Sequence, residues 1–415
     1  MKVKRPNAAI YFIVYILIYP VLKICFRLKV DRKNITVPKG PHIVVANHTT
    51  MKDFLLVMLS FYPRRLNAVT AHKFFMYSPL HKLLPLLGCI PKNMFDPDIR
   101  SVIGIKTVLN RGDGILLFPE GRCSTGGAYT GISKATGKLI KKLGVPVFCC
   151  YIEGAYTCMP HWRKGIRFGQ ERVTFSLLFS EDDIKKLSID DINTAVDARL
   201  GGDEGAPARK KPLRTLTSKR LAEGLHKILY WCPACDREFN MESKGNSITC
   251  TACGNGAVFD RAAKLTPVPG SVVPESVSAW FKLQVQYEMQ SVDKNTEDNN
   301  TNFVDDQVSV RIPAAEPGQG MIECGSGRIR LDPKGWYFDG ELSGEQVSLF
   351  FPIDTVPAMS YDHDDNFQIY SGGNFYKFTP EDKRRCLKYV ILGECAHWRF
   401  ASRTQMTSGH KCGFP

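Results

Sequence analysis

Acidic residues are scarce in this chain: 41 Asp and Glu stand against 55 Lys and Arg over 415 residues, a formal net charge of +14. The imbalance points to an anionic partner, whether acidic lipid, nucleic acid or a phosphate-bearing coenzyme. Internal repeats are lacking, which argues against an array of stacked units. The apolar run at residues 8–26 lacks a small-residue cleavage site and is followed by basic residues, unlike a cleaved secretory signal. Ten of the fourteen cysteines lack ligand-like spacing: Cys25, Cys89, Cys123, Cys149, Cys150, Cys158, Cys324, Cys386, Cys395 and Cys412. In a reducing cytosol such residues serve as small buried hydrophobes.

The apolar content, 44% of residues, is enough for two or three packed domains. Lys2, Lys4 and Arg5 precede the run at 8–26, and Arg27, Lys29, Arg32 and Lys33 follow it. A spanning helix needs about 20 apolar residues, so this segment suits crossing a membrane and lying in its cytoplasmic leaflet about equally. Tyr11, Tyr15 and Tyr19 share one helical face, as interfacial anchors would.

Two short stretches carry the chemistry. The first, Asn47-His48-Thr49-Thr50-Met51-Lys52-Asp53, sets a histidine beside a carboxylate. Imidazole takes a proton from a hydroxyl only as the right tautomer, which a carboxylate on its other nitrogen fixes. Within one α-helix a five-residue separation turns side chains apart by roughly 140°. The pair therefore predicts a strand over 42–46 and a helix opening at Asp53, whose N-terminus favours a carboxylate. The second stretch, Phe118-Pro119-Glu120-Gly121-Arg122-Cys123-Ser124, ends the apolar run 114–118 in a turn, as a strand would deliver charged groups to a cleft rim.

With Gly88-Cys89-Ile90-Pro91-Lys92-Asn93 and Val145-Pro146-Val147, these stretches resemble, in order and separation, the glycerolipid acyltransferase family that contains 1-acylglycerol-3-phosphate acyltransferases. The resemblance covers residues 40–180. It implies transfer of an acyl group from acyl-CoA or acyl-carrier protein to the hydroxyl of a lysophospholipid acceptor, 1-acylglycerol-3-phosphate foremost, giving phosphatidic acid. By the same resemblance His48 takes the hydroxyl proton and Asp53 orients it, without a covalent enzyme intermediate. Asn47, Glu120, Gly121 and Ser124 then belong to substrate binding, and Arg122 pairs with the acceptor phosphate through bidentate bonds. The chain departs from the family pattern twice. Many members carry arginine two places after the motif glycine, where Cys123 stands here. Lys92 stands near the place of a phosphate-binding arginine and is the substitute candidate. Lys134, Lys138, Lys141 and Lys142 are expected to face anionic lipid.

Cys232-Pro233-Ala234-Cys235 and Cys250-Thr251-Ala252-Cys253 have the spacing of a four-thiolate zinc ribbon, whose folding depends on the metal, Zn²⁺. Residues 236–249 are not basic overall, so no nucleic acid is expected and the ribbon reads as a structural or protein-binding module. Residues 201–212 read as a flexible linker, 214–230 as a helix presenting Leu216, Leu221, Leu225, Ile228 and Leu229, and 293–302 as a polar loop. From 303 onward short strands alternate with turns, among them 321–324, 328–331 and 335–338, and a helix follows Pro380. This pattern resembles a pleckstrin-homology or GRAM barrel. Asp362, His363, Asp364 and Asp365 read as a solvated turn.

The expected protein is an α/β acyltransferase domain with an N-terminal membrane helix, then a zinc ribbon and a β-rich PH/GRAM-like domain. The divisions are 1–33, 34–200, 201–230, 231–262, 263–302 and 303–415. Membrane lipids are the expected partners, on the cytoplasmic face. The alternative is an inactive membrane scaffold or lipid-binding protein that uses the ribbon and the C-terminal domain.

Overall fold

A computed structural model describes all residues except 1–2, 33–34, 37, 77, 95–97, 202–215, 217, 298–301, 363–365, 372 and 407–415. The first sheet contains β1 (Lys29–Asp31), β2 (His42–Ala46), β3 (Leu66–Ala71), β4 (Ile90–Lys92), β5 (Gly114–Leu117), β6 (Val147–Glu153) and β7 (Arg172–Phe179). Their spatial order is β1-β7-β6-β2-β5-β3-β4, and only β6 and β7 pair antiparallel. β2 reads His-Ile-Val-Val-Ala without alternation because both its faces are covered. Val44, Ala46 and Leu116 enter one core, and Ile43, Val45, Ile115 and Leu117 enter the other.

Helices α1 (Ala8–Cys25) and α2 (Asp53–Ser60) serve the first core; α3 (Ile99–Asn110), α4 (Ala135–Leu143) and α5 (Ile189–Leu200) serve the second. Asn7 caps α1 by accepting from the Ile10 N–H. α1 is long and apolar enough to cross a membrane. Phe12, Ile13, Ile16, Leu17, Val21 and Ile24 are exposed along it. Its tyrosine row faces the protein. Tyr11 is buried and donates to the Met58 carbonyl at 2.8 Å, and Tyr15 stacks on Tyr62 at 4.2 Å. The tyrosine row is the docked side, because its rings pack on the protein while its one buried hydroxyl finds a carbonyl.

The expected helix at 214–230 is not formed by its described residues. Gly224, at φ +86°, breaks the run, which holds one 3₁₀ turn at Leu225–Lys227. The apolar residues are nevertheless buried: Leu216, Leu221, Leu225, Ile228 and Leu229 pass under the small sheet β8 (Met241–Lys244), β9 (Ser247–Cys250), β10 (Gly256–Phe259) and β11 (Leu265–Pro267). Helix α6 (Val277–Glu297) takes up the first half of the segment read as a polar loop, because Val292 is buried and Asp293 pairs with Arg399. The linker 201–212 and the acidic turn at 362–365 lie largely outside the described residues.

An antiparallel seven-stranded sheet follows: β12 (Val304–Pro313), β13 (Met321–Asp332), β14 (Gly335–Leu342), β15 (Glu345–Pro352), β16 (Ser360–Asp362), β17 (Asn366–Ser371) and β18 (Asn374–Pro380), ordered β15-β14-β13-β12-β18-β17-β16. Two expected strands merge into β13. Gly325 and Gly327 read as a turn in sequence, but Gly327 pairs with Gly340 across the sheet, where a Cβ would stand 2.6 Å from the Gly340 Cα. Helix α7 (Cys386–Met406) closes this sheet and packs against α6. One continuous core joins α1, the small sheet, α6 and α7.

Candidate active site

β2 ends at Ala46, and the loop 47–52 carries His48 over the C-terminal rim of the sheet before α2 begins at Asp53. Ligand sites in open α/β sheets gather at such rims. Asp53 is fully buried. Its Oδ2 accepts from the Thr49 N–H at 2.6 Å and the Thr50 N–H at 2.8 Å, and its Oδ1 accepts from the Thr50 hydroxyl. The same Oδ2 lies 3.2 Å from His48 Nδ1. The carboxylate is thus fixed by the loop before it touches the imidazole. An Nδ1 proton given to Asp53 leaves the lone pair on Nε2.

The imidazole is sandwiched. Phe118 stacks on it at 4.2 Å, and Cys123 Sγ lies 3.4 Å from Nε2 and 3.7 Å from Nδ1. Sulfur nearly equidistant from both nitrogens cannot be in line with the Nε2 lone pair; it sits over the ring. The His48 side chain keeps 18% of its exposure. Burial works against its protonation, but Cys123 and the Asp53 carboxylate outweigh that effect, and its pKa is raised well above the ordinary value. Cys123, grouped by its spacing with the small buried hydrophobes, meets the ring only because the fold brings the two motifs together.

Several expected substrate residues make bracing contacts within the protein. Asn47 donates to the Ile152 carbonyl at 2.9 Å and accepts from the Ile152 N–H at 2.7 Å, clasping the end of β2 to β6. Glu120 accepts from the His48 N–H at 2.7 Å and from Thr130, and burial raises its carboxyl pKa. It ties the two motifs together. Gly121 takes φ +75° in the turn that follows β5, its N–H returning to the Phe118 carbonyl. Ser124 is buried, donates its hydroxyl to the Ala128 carbonyl and its N–H to the His48 carbonyl.

Arg122 is paired within the protein. Its guanidinium grips both oxygens of Glu394 on α7 and donates to the Met359 carbonyl. A bidentate carboxylate fills the same fork that a phosphate would use. Lys92 ends β4, three strands from β2, or roughly 14 Å at the usual strand spacing. Lys141 Nζ donates to the carbonyls of Ile184, Lys185 and Leu187 and is therefore not directed to lipid.

Apart from this rim, the sulfurs of Cys232, Cys235, Cys250 and Cys253 lie within 4.8 Å of one another. The Cys232–Cys253 and Cys235–Cys250 separations are 3.7 and 3.8 Å. A disulfide would need about 2.05 Å, whereas thiolates at about 2.3 Å from one tetrahedral ion stand about 3.8 Å apart. Both turns are built alike: the Asp236 N–H returns to the Cys232 carbonyl and the Gly254 N–H to the Cys250 carbonyl. Asn255 directs its amide to Cys232 Sγ at 3.7 Å. The donor set fits a metal ion.

A carboxylate-steered imidazole thus stands on the rim of a mostly parallel sheet, an arrangement suited to acid–base chemistry. Residues 27–153, which contain it, match the family model described as Acyltransferase, and they form an acyltransferase-family domain. No curated protein matches the chain. Among solved structures, the 1-acyl-sn-glycerophosphate (LPA) acyltransferase PlsC from Thermotoga maritima is similar, at 19% identity over 46% of this chain and 74% of that chain, with a TM-score of 0.38.

Proposed function

We propose that this protein moves a fatty acyl group from an acyl thioester, acyl-CoA or acyl-carrier protein, to the hydroxyl of a lysophospholipid, with 1-acylglycerol-3-phosphate the leading acceptor. The observation that carries this reading is His48, fixed through Nδ1 by a buried Asp53 inside an acyltransferase-family domain. Nε2 takes the acceptor proton as the oxygen attacks the thioester carbonyl. The imidazolium, stabilised by Asp53, returns the proton to the departing thiolate. A thioester is already activated, so the step needs no enzyme-bound acyl group. An acceptor phosphate reaches Arg122 by exchanging with Glu394; Lys92, at the end of β4 two strands from β5, is the second candidate for that phosphate.

The exposed apolar side of α1 supports membrane association, which we place on the cytoplasmic face from the basic residues that flank it. The four thiolates would hold Zn²⁺ as a folding element, and the seven-stranded sheet with α7 is read as a PH/GRAM-like module. A second reading, a scaffold without turnover, draws on one observation: the Arg122 fork is taken by Glu394. Mass analysis of lipid products decides between them. With a panel of lysolipids and both donor types, the first reading expects a diacylated product from at least one acceptor; a panel without product favours the scaffold.

A further inference from the structure

Between the turn after Arg122 and the two long C-terminal helices lies a half-open cavity of about 150 Å³. One wall is the loop running from Arg122 to Thr130, whose first residues flank the cysteine that covers His48. The other wall comes from outside the acyltransferase match: Phe281 and Val285 of α6, and Leu387, Val390, Ile391 and Trp398 of α7. Leu387, Val390 and Ile391 are buried side chains that meet this space. The polar end is the Arg122–Glu394 pair. The cavity is therefore mixed in character: charged at Arg122 and Glu394, polar also at Lys282 and Gln286 of α6, and apolar chiefly along α7.

Because the space is half open, it leaves apolar side chains of α7 facing solvent, surface that a hydrocarbon would cover. Approach is tight nearby: a Cβ on Gly126 would stand 2.5 Å from the Phe281 ring. The helices could have closed the space with larger side chains but leave it open beside the site. Its apolar walls suit methylene groups, and its volume matches a segment of a hydrocarbon chain rather than a whole lipid.

We propose that α6 and α7 form a subsite for a fatty chain, so that the C-terminal part of the molecule completes the active site and sets chain-length preference. The proposal rests on the acyl-transfer reading for its role, although chain binding can be measured without turnover. The chain could belong to the thioester or to the lysolipid, and the test separates the two.

Val390→Trp and Ile391→Trp fill the space. In the full-length protein, kcat/KM is measured with 8- to 18-carbon donors at one acceptor, then with 8- to 18-carbon acceptors at one donor. The ratio of 16- to 8-carbon substrates should fall about tenfold or more in one of the two series, as expected when a pocket loses room for methylenes. The series that responds identifies the owner of the chain. Trp398→Ala, which enlarges the space, should move the same ratio the opposite way. Calorimetric titration with myristic acid should show binding that both filling variants weaken at least about tenfold. Equal effects on all chain lengths, with myristate binding unchanged in variants that melt like the parent, would overturn the subsite. Myristate binding lost in the filled variants of a protein without turnover would retain the subsite and reject the acyl-transfer reading. If both filled variants fail to fold, a Trp398→Ala variant with an unaltered chain profile and unaltered myristate binding rejects the subsite.

Discussion

His48 has unlike neighbours on every side: an aromatic face, a sulfur over the other face, a buried carboxylate on Nδ1 and a partial opening to solvent. This environment sets the pH dependence. A general base works only when neutral, and the folded pKa of His48 is raised above 6.5. Turnover should therefore rise with pH along an acidic limb centred above the usual histidine value. Cys123 contributes to the upward shift, so Cys123→Ala should move that limb to lower pH. A pH profile of kcat/KM for both proteins measures this; an unmoved limb would remove Cys123 from the electrostatics of the base. The motif spacing made the His48–Asp53 pair legible in the sequence, since strand-to-helix geometry was the way to bring them together. The bracing bonds of Asn47, Glu120 and Ser124 were not legible, because residues that brace a site and residues that touch substrate look alike in a motif.

At the scale of elements, the catalytic turn and α7 are joined by the Arg122–Glu394 pair, whose side chains are 21% and 19% exposed. Removing one partner leaves the other charge poorly solvated. Glu394→Ala should cost about 2 kcal/mol of stability, read as a lower melting temperature. It should also release the Arg122 fork and lower KM for a phosphate-bearing acceptor relative to a zwitterionic one. A stability loss with no change in that selectivity would make the pair a strut only. No local signal in the sequence links Arg122 with Glu394, because they lie 272 positions apart. The merged strand β13 and the broken run before the small sheet have a similar origin. Glycine marks turns and close approaches alike, and only the partner strand tells them apart. The helix α6 outran its expected end because tertiary packing of Val292 overrode a polar composition.

For the whole molecule, two devices hold the small sheet and helices to the rest. The cysteine quartet supplies one, and chelation of a bound zinc ion should lower the melting temperature and unfold the ribbon without displacing His48. Differential scanning calorimetry with and without a chelator measures this; an unchanged transition would remove the metal from the fold. The second is the buried cluster of Tyr230, Glu288 and Lys388, in which Lys388 also grips Glu238. Burial raises the Glu288 carboxyl to about 7. A raised carboxyl means the folded state holds its proton longer than the unfolded chain. Its stabilising contribution is full below the ordinary glutamate range and fades as pH climbs towards about 7. Glu288→Gln should flatten the fall of melting temperature between pH 5 and 8; an identical slope in both proteins contradicts that role.

The most direct test of the central claim is acyl-thioester consumption coupled to diacyl product formation by the purified protein and its His48→Ala variant. The account predicts a fall of about a hundredfold or more in kcat, as for loss of a general base, with the variant still folded. Undiminished turnover in the folded variant would contradict it.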